Sequence, residues 1–304
     1  MAGPEPRSRG ASVTRITLAR GEAAGCEGLH TSRARLSDTV DTWTSALAEG
    51  ARATGRMVDP MKIAQITDTH ISADGGPRDG VDMRESFLWA LDAVRASGCE
   101  LLVLSGDLVG TDVDFDAYPW IAQQVAALDI PSLVLSGNHD DTRRLAEAFD
   151  ARDAFRDGCL FDVREMAGVV IYGLDTSSQR LSNRQLEWLE ADLARRRGAR
   201  ALLFLHHPPI VCGCRFMDSH GPLLDREKVW RRIVDLGAID HVFCGHYHTH
   251  KVVERDGIQV VICPSTMLQI SQQSVGFEIE HRRPGYLEID VDDDGVRWNA
   301  VYRA

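Results

Sequence analysis

From residue 61 onward, short apolar runs alternate with stretches whose apolar positions recur every three or four residues, and turn-forming residues mark the change from one to the other. Strands are predicted at 62–67, 101–105, 132–136, 169–175, 201–205 and 241–244. Helices are predicted at 83–97, where Phe87, Leu88, Leu91 and Val94 share a face, and at 183–195, where Leu186, Leu189 and Leu193 do. Others fall at 119–128, 142–149 and 226–236. This alternation is the mark of an α/β fold. After His248 the pattern changes to strands at 251–254, 258–263, 286–291 and 296–302, with Asp256-Gly257 and Asp294-Gly295 as hairpin turns.

Residues 1–60 have four Leu, three Val, one Ile and one Trp, too little apolar surface to offset the entropy of ordering them. They are expected to form a disordered tail ahead of one domain at 61–304, with translation starting at Met57 or Met61. The whole chain has 34 basic and 45 acidic side chains, a net charge of −11, which excludes a dedicated nucleic-acid binder. Apolar runs such as 168–174 and 201–205 are far shorter than the roughly 20 residues of a membrane helix, so a soluble protein without a membrane partner is expected. Seven cysteines without a Cys-x-x-Cys pair suggest reduced thiols and a cytoplasmic location, with Cys212 and Cys214 read as ordinary loop cysteines.

Five polar clusters occur at or just beyond the ends of predicted strands: Asp68-Thr-His70, Gly106-Asp107, Gly137-Asn-His-Asp140, His206-His207 and Gly245-His-Tyr-His248. Loops at the carboxyl ends of strands in α/β sheets converge on ligands. Six of the eleven histidines lie in these clusters beside Asp68, Asp107 and Asn138. Imidazole mixed with carboxylate, without thiolate, suits an open site for Mn, Fe, Zn or Co. In extended segments positions i and i+2 point to the same side, so Asp68 with His70, and His246 with His248, would each present two ligands together. Gly106, Gly137 and Gly245 each stand one residue before a proposed ligand, where the backbone can turn sharply near an ion.

The five blocks in this order resemble the calcineurin-type binuclear metallophosphoesterase superfamily. Within it, His206-His-Pro-Pro209, Phe216-Met-Asp218 and Pro264-Ser-Thr-Met-Leu-Gln269 are most similar to class III cyclic-nucleotide phosphodiesterases and their glycerophosphodiesterase relatives. The resemblance implies a four-layer α/β/β/α sandwich of two mixed sheets flanked by helices, with two divalent metal ions at one end. Matched motif to motif, Asp68, His70 and His248 would hold one ion, Asn138, His206 and His246 the other, and Asp107 would bridge them. The adjacent His207 leaves the assignment of His206 open. His139 would contact the phosphate or protonate the leaving alkoxide, with Asp140 beside it as a catalytic candidate.

Two cations about 3.5 to 4 Å apart can lower the pKa of a shared water and clamp both oxygens of an in-line displacement at phosphorus. An imidazolium near the leaving alkoxide adds roughly 10²- to 10⁴-fold by general acid catalysis. Bound cations also let an acidic protein take an anionic substrate. Expected substrates are small phosphodiesters, with 3′,5′-cyclic nucleotides first and a glycerophosphodiesterase or broad-specificity phosphatase as the alternative. Asn138, His139, His207 and Asp218 are the expected substrate-binding residues. Where relatives carry Asn a few residues after the Met-Asp pair, Leu223-Leu-Asp225 stands here, against cyclic AMP in particular. The stretch 276–284 reads as a solvated loop or as a contact in a homo-oligomer. A catalytically silent interaction module is the reading of another class. Such a protein is expected to lose ligands, whereas all seven are present here.

Overall fold

A side-chain period of two within the strands decides how the layers stack. The computed structural model describes residues 59–304, so the expectations for the tail, its start site and Cys26 lie outside the described residues. The strands are β1 Met61–Ile66, β2 Leu101–Ser105, β3 Ser132–Leu135, β4 Phe155–Arg156, β5 Cys159–Leu160, β6 Asp162–Met166, β7 Val169–Leu174 and β8 Arg200–Leu205. They continue as β9 Ile239–Cys244, β10 Lys251–Arg255, β11 Ile258–Ile262, β12 Gln269–Ile270, β13 Ile279–His281, β14 Gly285–Asp292 and β15 Gly295–Tyr302. The helices are α1 Met83–Ser97, α2 Tyr118–Ala126, α3 Thr142–Ala148, α4 Asn183–Arg195, α5 Met217–His220 and α6 Arg226–Leu236.

One sheet runs β15-β14-β1-β2-β3 and a second runs β10-β11-β9-β8-β7-β6. In the first, β1, β2 and β3 are parallel while β14 pairs antiparallel with β1, Met61 opposite Val291. In the second, β7, β8, β9 and β11 are parallel, with antiparallel strands at both edges. Alternate residues of both sheets, including Ile63, Leu101, Val103 and Leu133 from the first and Ile171, Leu202, Phe204 and Phe243 from the second, form one apolar cluster. The residues between them, such as Leu102, Leu104, Tyr172 and Leu203, cluster instead with helix positions such as Phe87, Leu91, Leu189 and Ile233. Trp89 of α1 packs edge-on against Tyr286 of β14, and Trp188 of α4 against Tyr172 of β7. The result is the expected sandwich of two mixed sheets between helices.

Local chemistry sets the helix ends. Asp82 accepts the Glu85 N–H at 2.9 Å ahead of α1, and Gly98, in the left-handed region at φ 71°, ends it. Leu88, which the periodicity placed on the buried stripe of α1, lies at its edge and is 39% exposed. No helix among the described residues is long and apolar enough to cross a membrane. The six described cysteines are free, and Cys212 and Cys214 are buried in the outer apolar cluster.

Candidate active site

The parallel strands deliver all five clusters to one end of the sandwich. Asp68 follows β1, Asp107 follows β2, Asn138 follows β3, His206 follows β8 directly, and His246 and His248 follow β9. Backbone bonds tie neighbouring loops together, Asp68 N–H to Gly106 O at 3.0 Å, His70 N–H to Asp107 O at 3.1 Å and Gly245 N–H to His206 O at 3.0 Å. Across the two sheets, His246 N–H donates to Asp68 Oδ2 at 2.8 Å.

The ligand pairs are not extended, contrary to the alternation argument. Asp68, His70, Asp107, His246 and His248 all have φ between 46° and 67°. Such conformations cost about 1–3 kcal/mol each for non-glycine residues and cluster at functional sites. Asp68 and His70 nonetheless present their ligands together, as expected, while His246 and His248 part. His248 joins Asp68 and His70 in one group of mutually close ligand atoms, whereas His246 joins Asp68, Asp107 and His206 in another.

Tautomers follow from the partners, because a carbonyl can only accept. His206 Nδ1 donates to Ser105 O at 2.9 Å, His248 Nδ1 to Leu268 O at 3.2 Å, and His246 Nε2 to Gly221 O at 2.7 Å. Each ring keeps its other nitrogen lone pair for the centre, the arrangement that orients histidines bound to metals. His206 Nε2 lies 3.2 Å from Asp107 Oδ2, and the Nε2 atoms of His70 and His248 face each other at 3.0 Å. Asp68 Oδ1, Asn138 Oδ1, His206 Nε2 and His207 Nε2 are buried without a hydrogen-bond partner. Orphaned polar atoms of this kind are rare in folded proteins, and bound cations would satisfy them. The donor set therefore fits two divalent cations.

Burial disfavours charge on His206, yet Asp107 and then Asp68 outweigh it and push its pKa up to about 9. Burial, reinforced by His248, pulls His70 down to about 3, and burial with His206 takes His246 to about 4. Asp107, which burial would raise, is held well below the ordinary carboxylate range by His206 and His70. Asp107 is thus anionic and His70 and His246 neutral, the states that cation binding requires, whereas His206 would have to give up a proton to bind a cation through Nε2.

A cavity of about 370 Å³ opens above this cluster. His70, Asp107, His139, His246 and His248 line it together with Arg78, Asp79, Gly110 and Thr111, and Phe216, Met217, Met267, Leu268, Ile270 and Phe277 form an apolar wall. His139 is exposed and donates through Nδ1 to Gly110 O at 2.7 Å, which leaves Nε2 for a substrate.

Three other expected residues stand elsewhere. Asp140 does not line the cavity. It accepts hydrogen bonds from Leu108 N, Gly137 N and Tyr118 Oη at 2.9 to 3.1 Å, and so clamps the Asp107 loop to the Asn138 loop. Burial, then Asp107, push its pKa up to about 7. Asp218 likewise faces inward, accepting from Cys212 N and Tyr247 Oη at 3.0 Å each. His207 is fully buried, with Nδ1 bonded to Thr176 Oγ1 at 2.9 Å and its ring 4.2 Å from that of His246. It is absent from the cavity wall, but its Nε2 is buried without a hydrogen-bond partner and forms a further close group of possible ligand atoms with His206 and His246, so both histidines fit the role of ligand. The stretch expected to be a solvated loop contains β13 and, ahead of it, Phe277, which reaches the cavity beside Phe216. Arg78 and Phe277 were not singled out from sequence, although one arginine in a Gly- and Asp-rich loop and one aromatic in a polar stretch were the available signals.

Gly106, at φ 102°, turns the backbone as expected, whereas Gly137 and Gly245 serve close approach. A Cβ on Gly137 would overlap Asp107 Oδ1 and Asp107 N, and one on Gly245 would lie 2.8 Å from Asp68 Oδ2. Gly137→Ala is therefore expected to displace Asp107 and lower turnover about 100-fold, since a 1 Å shift can have that effect. Assay of the variant alongside metal analysis checks this, with fewer than two ions per chain expected.

This fold with this donor set defines a dimetal phosphoesterase scaffold. Residues 61–250 match the calcineurin-like phosphoesterase family, and the chain belongs to it. It is 33% identical over 230 residues, 76% of this chain and 89% of the other, to a Fibrobacter succinogenes protein described as a probable cyclic nucleotide phosphodiesterase. It is 29% identical over 250 residues, 80% of this chain and 90% of the other, to the 3′,5′-cyclic adenosine monophosphate phosphodiesterase CpdA of Escherichia coli. A dimetal phosphatase from Danio rerio shares the fold with a TM-score of 0.57 at 14% identity, over 81% of this chain and 100% of that one.

Proposed function

We propose that the protein hydrolyses phosphodiesters at a centre of two divalent cations, opening 3′,5′-cyclic nucleotides to nucleoside 5′-monophosphates. The observation that carries this reading is the convergence of Asp68, His70, Asp107, His206, His246 and His248 beneath a cavity that His139 also lines, with the unpartnered Oδ1 of Asn138 following Gly137, which packs on Asp107. Asp68, His70 and His248 would hold one ion, Asn138, His206 and His246 the other, with Asp107 between them. Bound there, the ions supply Lewis acidity to the phosphoryl oxygens. The chain's own groups do the rest. His139, anchored through Nδ1, presents Nε2 to the leaving alkoxide and, when protonated, gives it a proton. Asp140 and Asp218 act by positioning loops, and His207 braces His206 and His246. The wall from Phe216 to Phe277 offers a planar base an apolar surface to pack on, which supports a nucleotide over a glycerol diester. The free thiols support a cytoplasmic location.

The test combines metal analysis of the full-length protein with a substrate panel of cyclic AMP, glycerophosphoethanolamine, bis-p-nitrophenyl phosphate and a monoester. Two ions per chain, loss of turnover on chelation, and a kcat/KM for cyclic AMP at least about 10-fold above that for the glycerol diester are expected. A protein that neither holds nor takes up manganese would overturn the reading in favour of an interaction module. Preference for the glycerol diester would overturn the substrate assignment alone.

A further inference from the structure

We infer that Arg78 binds the phosphate group of the substrate on the side away from the ions. The inference rests on the phosphodiester reading above and adds to it a residue outside the seven ion-binding side chains and His139. Among the described residues, Arg78 is the one lysine or arginine that lines the cavity. It sits in the loop between Asp68-Thr-His70 and α1, where its backbone exchanges two hydrogen bonds with Val81, at 3.0 and 2.9 Å.

The guanidinium is held from beneath. Its NH2 group donates to Asp114 Oδ1 at 3.0 Å, and Asp114 is 1% exposed. The same carboxylate accepts Ala73 N–H at 3.0 Å and the Thr111 hydroxyl at 2.7 Å, so it cannot swing away with the arginine. A guanidinium has five N–H donors in a rigid fork. One edge spent on Asp114 leaves the others for the cavity, and a side chain already held in place loses little rotamer freedom on binding an anion.

Gly110 places this unit relative to His139. Its carbonyl accepts the His139 Nδ1–H at 2.7 Å, while a Cβ at this position would lie 3.5 Å from Asp114 Oδ2. Arg78, through Asp114, and His139, through Gly110, are thus tied to one short loop and line the same cavity as His70. A phosphodiester held in this cavity would thus be within reach of the guanidinium through a non-bridging oxygen. Negative charge on that oxygen grows as phosphorus becomes five-coordinate, and a preorganised cation there stabilises the transition state. Because Arg78 touches the phosphate, its part is binding and charge stabilisation, with no proton transferred.

The test uses the full-length, manganese-loaded protein and inorganic phosphate as the probe, measured by calorimetry and as an inhibitor of bis-p-nitrophenyl phosphate hydrolysis. Arg78→Met is expected to weaken phosphate binding and lower kcat/KM about 10- to 100-fold, the range for a hydrogen bond to a charged group, with the metal content unchanged. Arg78→Lys keeps the charge and the tie to Asp114 but lacks the fork, and is expected to recover part of the loss. An unchanged phosphate affinity in Arg78→Met overturns the assignment. If that variant fails to fold, Arg78→Lys decides, with wild-type phosphate affinity counting against the proposal. Should the wild-type protein hydrolyse no diester, the parent reading fails, and the calorimetric comparison still decides whether Arg78 holds phosphate.

Discussion

Asp107→Ala is expected to lower diester hydrolysis roughly 10³-fold or more and to reduce the metal content from two ions per chain to one or none. Its carboxylate reaches imidazoles of both sets of donors. Oδ2 stands 3.2 Å from His206 Nε2 and 3.9 Å from His70 Nε2, so a single side chain faces both sets of donors. Oδ1 meanwhile accepts the backbone N–H of His139 at 2.9 Å. Truncation removes the shared ligand and loosens the loop that carries the acid. It also strips His206 of the partner that opposes burial, so the imidazole pKa, now about 9, is expected to fall in the metal-free variant. Elemental analysis and NMR titration of the histidines measure the two effects separately. Full activity with two ions retained would show that Asp107 does not join the centre.

His139→Ala is expected to behave differently, holding both ions while turnover of cyclic AMP falls about 10²- to 10⁴-fold. The ring is exposed, and its fixed Nδ1–H leaves Nε2 directed at the cavity. A general acid matters most when the leaving group is a poor one. The loss should therefore be much smaller for bis-p-nitrophenyl phosphate, whose leaving group departs without help. Comparing kcat for the two substrates in wild type and variant checks this. His139 also belongs to a close group with His70 and Asp107. Loss of an ion from the variant would make it a ligand and remove the acid assignment.

Much of this site could be read in the primary structure because each donor follows a strand end within four residues, and apolar strands are easy to find. The conformation of the donors could not. Asp68, His70, His246 and His248 adopt left-handed backbone angles that nothing about aspartate or histidine demands, and they are fixed by bonds from loops far away in the chain. Asp140 misleads for a related reason. A carboxylate beside His139 looks like chemistry until the N–H groups of Leu108 and Gly137 are seen to consume it. In β6, Arg164 and Glu165 interrupt the alternation, because an antiparallel edge strand has only β7 to satisfy. The apolar wall was hidden by distance, since Phe216 and Phe277 meet at the cavity mouth from separate loops.

The pairing of β1 with β14 constrains how the protein is made. The strand that carries Asp68 leaves the ribosome early, yet Met61 finds its partner only when Val291 has been synthesised. At about 5–20 residues per second, that is a wait on the order of ten seconds or more, with an apolar strand edge exposed throughout. A nascent chain halted after His248 would own every metal ligand and still lack the strand that completes its first sheet. Until β14 is added, the free edge of β1 is an open template for pairing with another chain, so the segment after the last metal ligand protects the strand that carries the first.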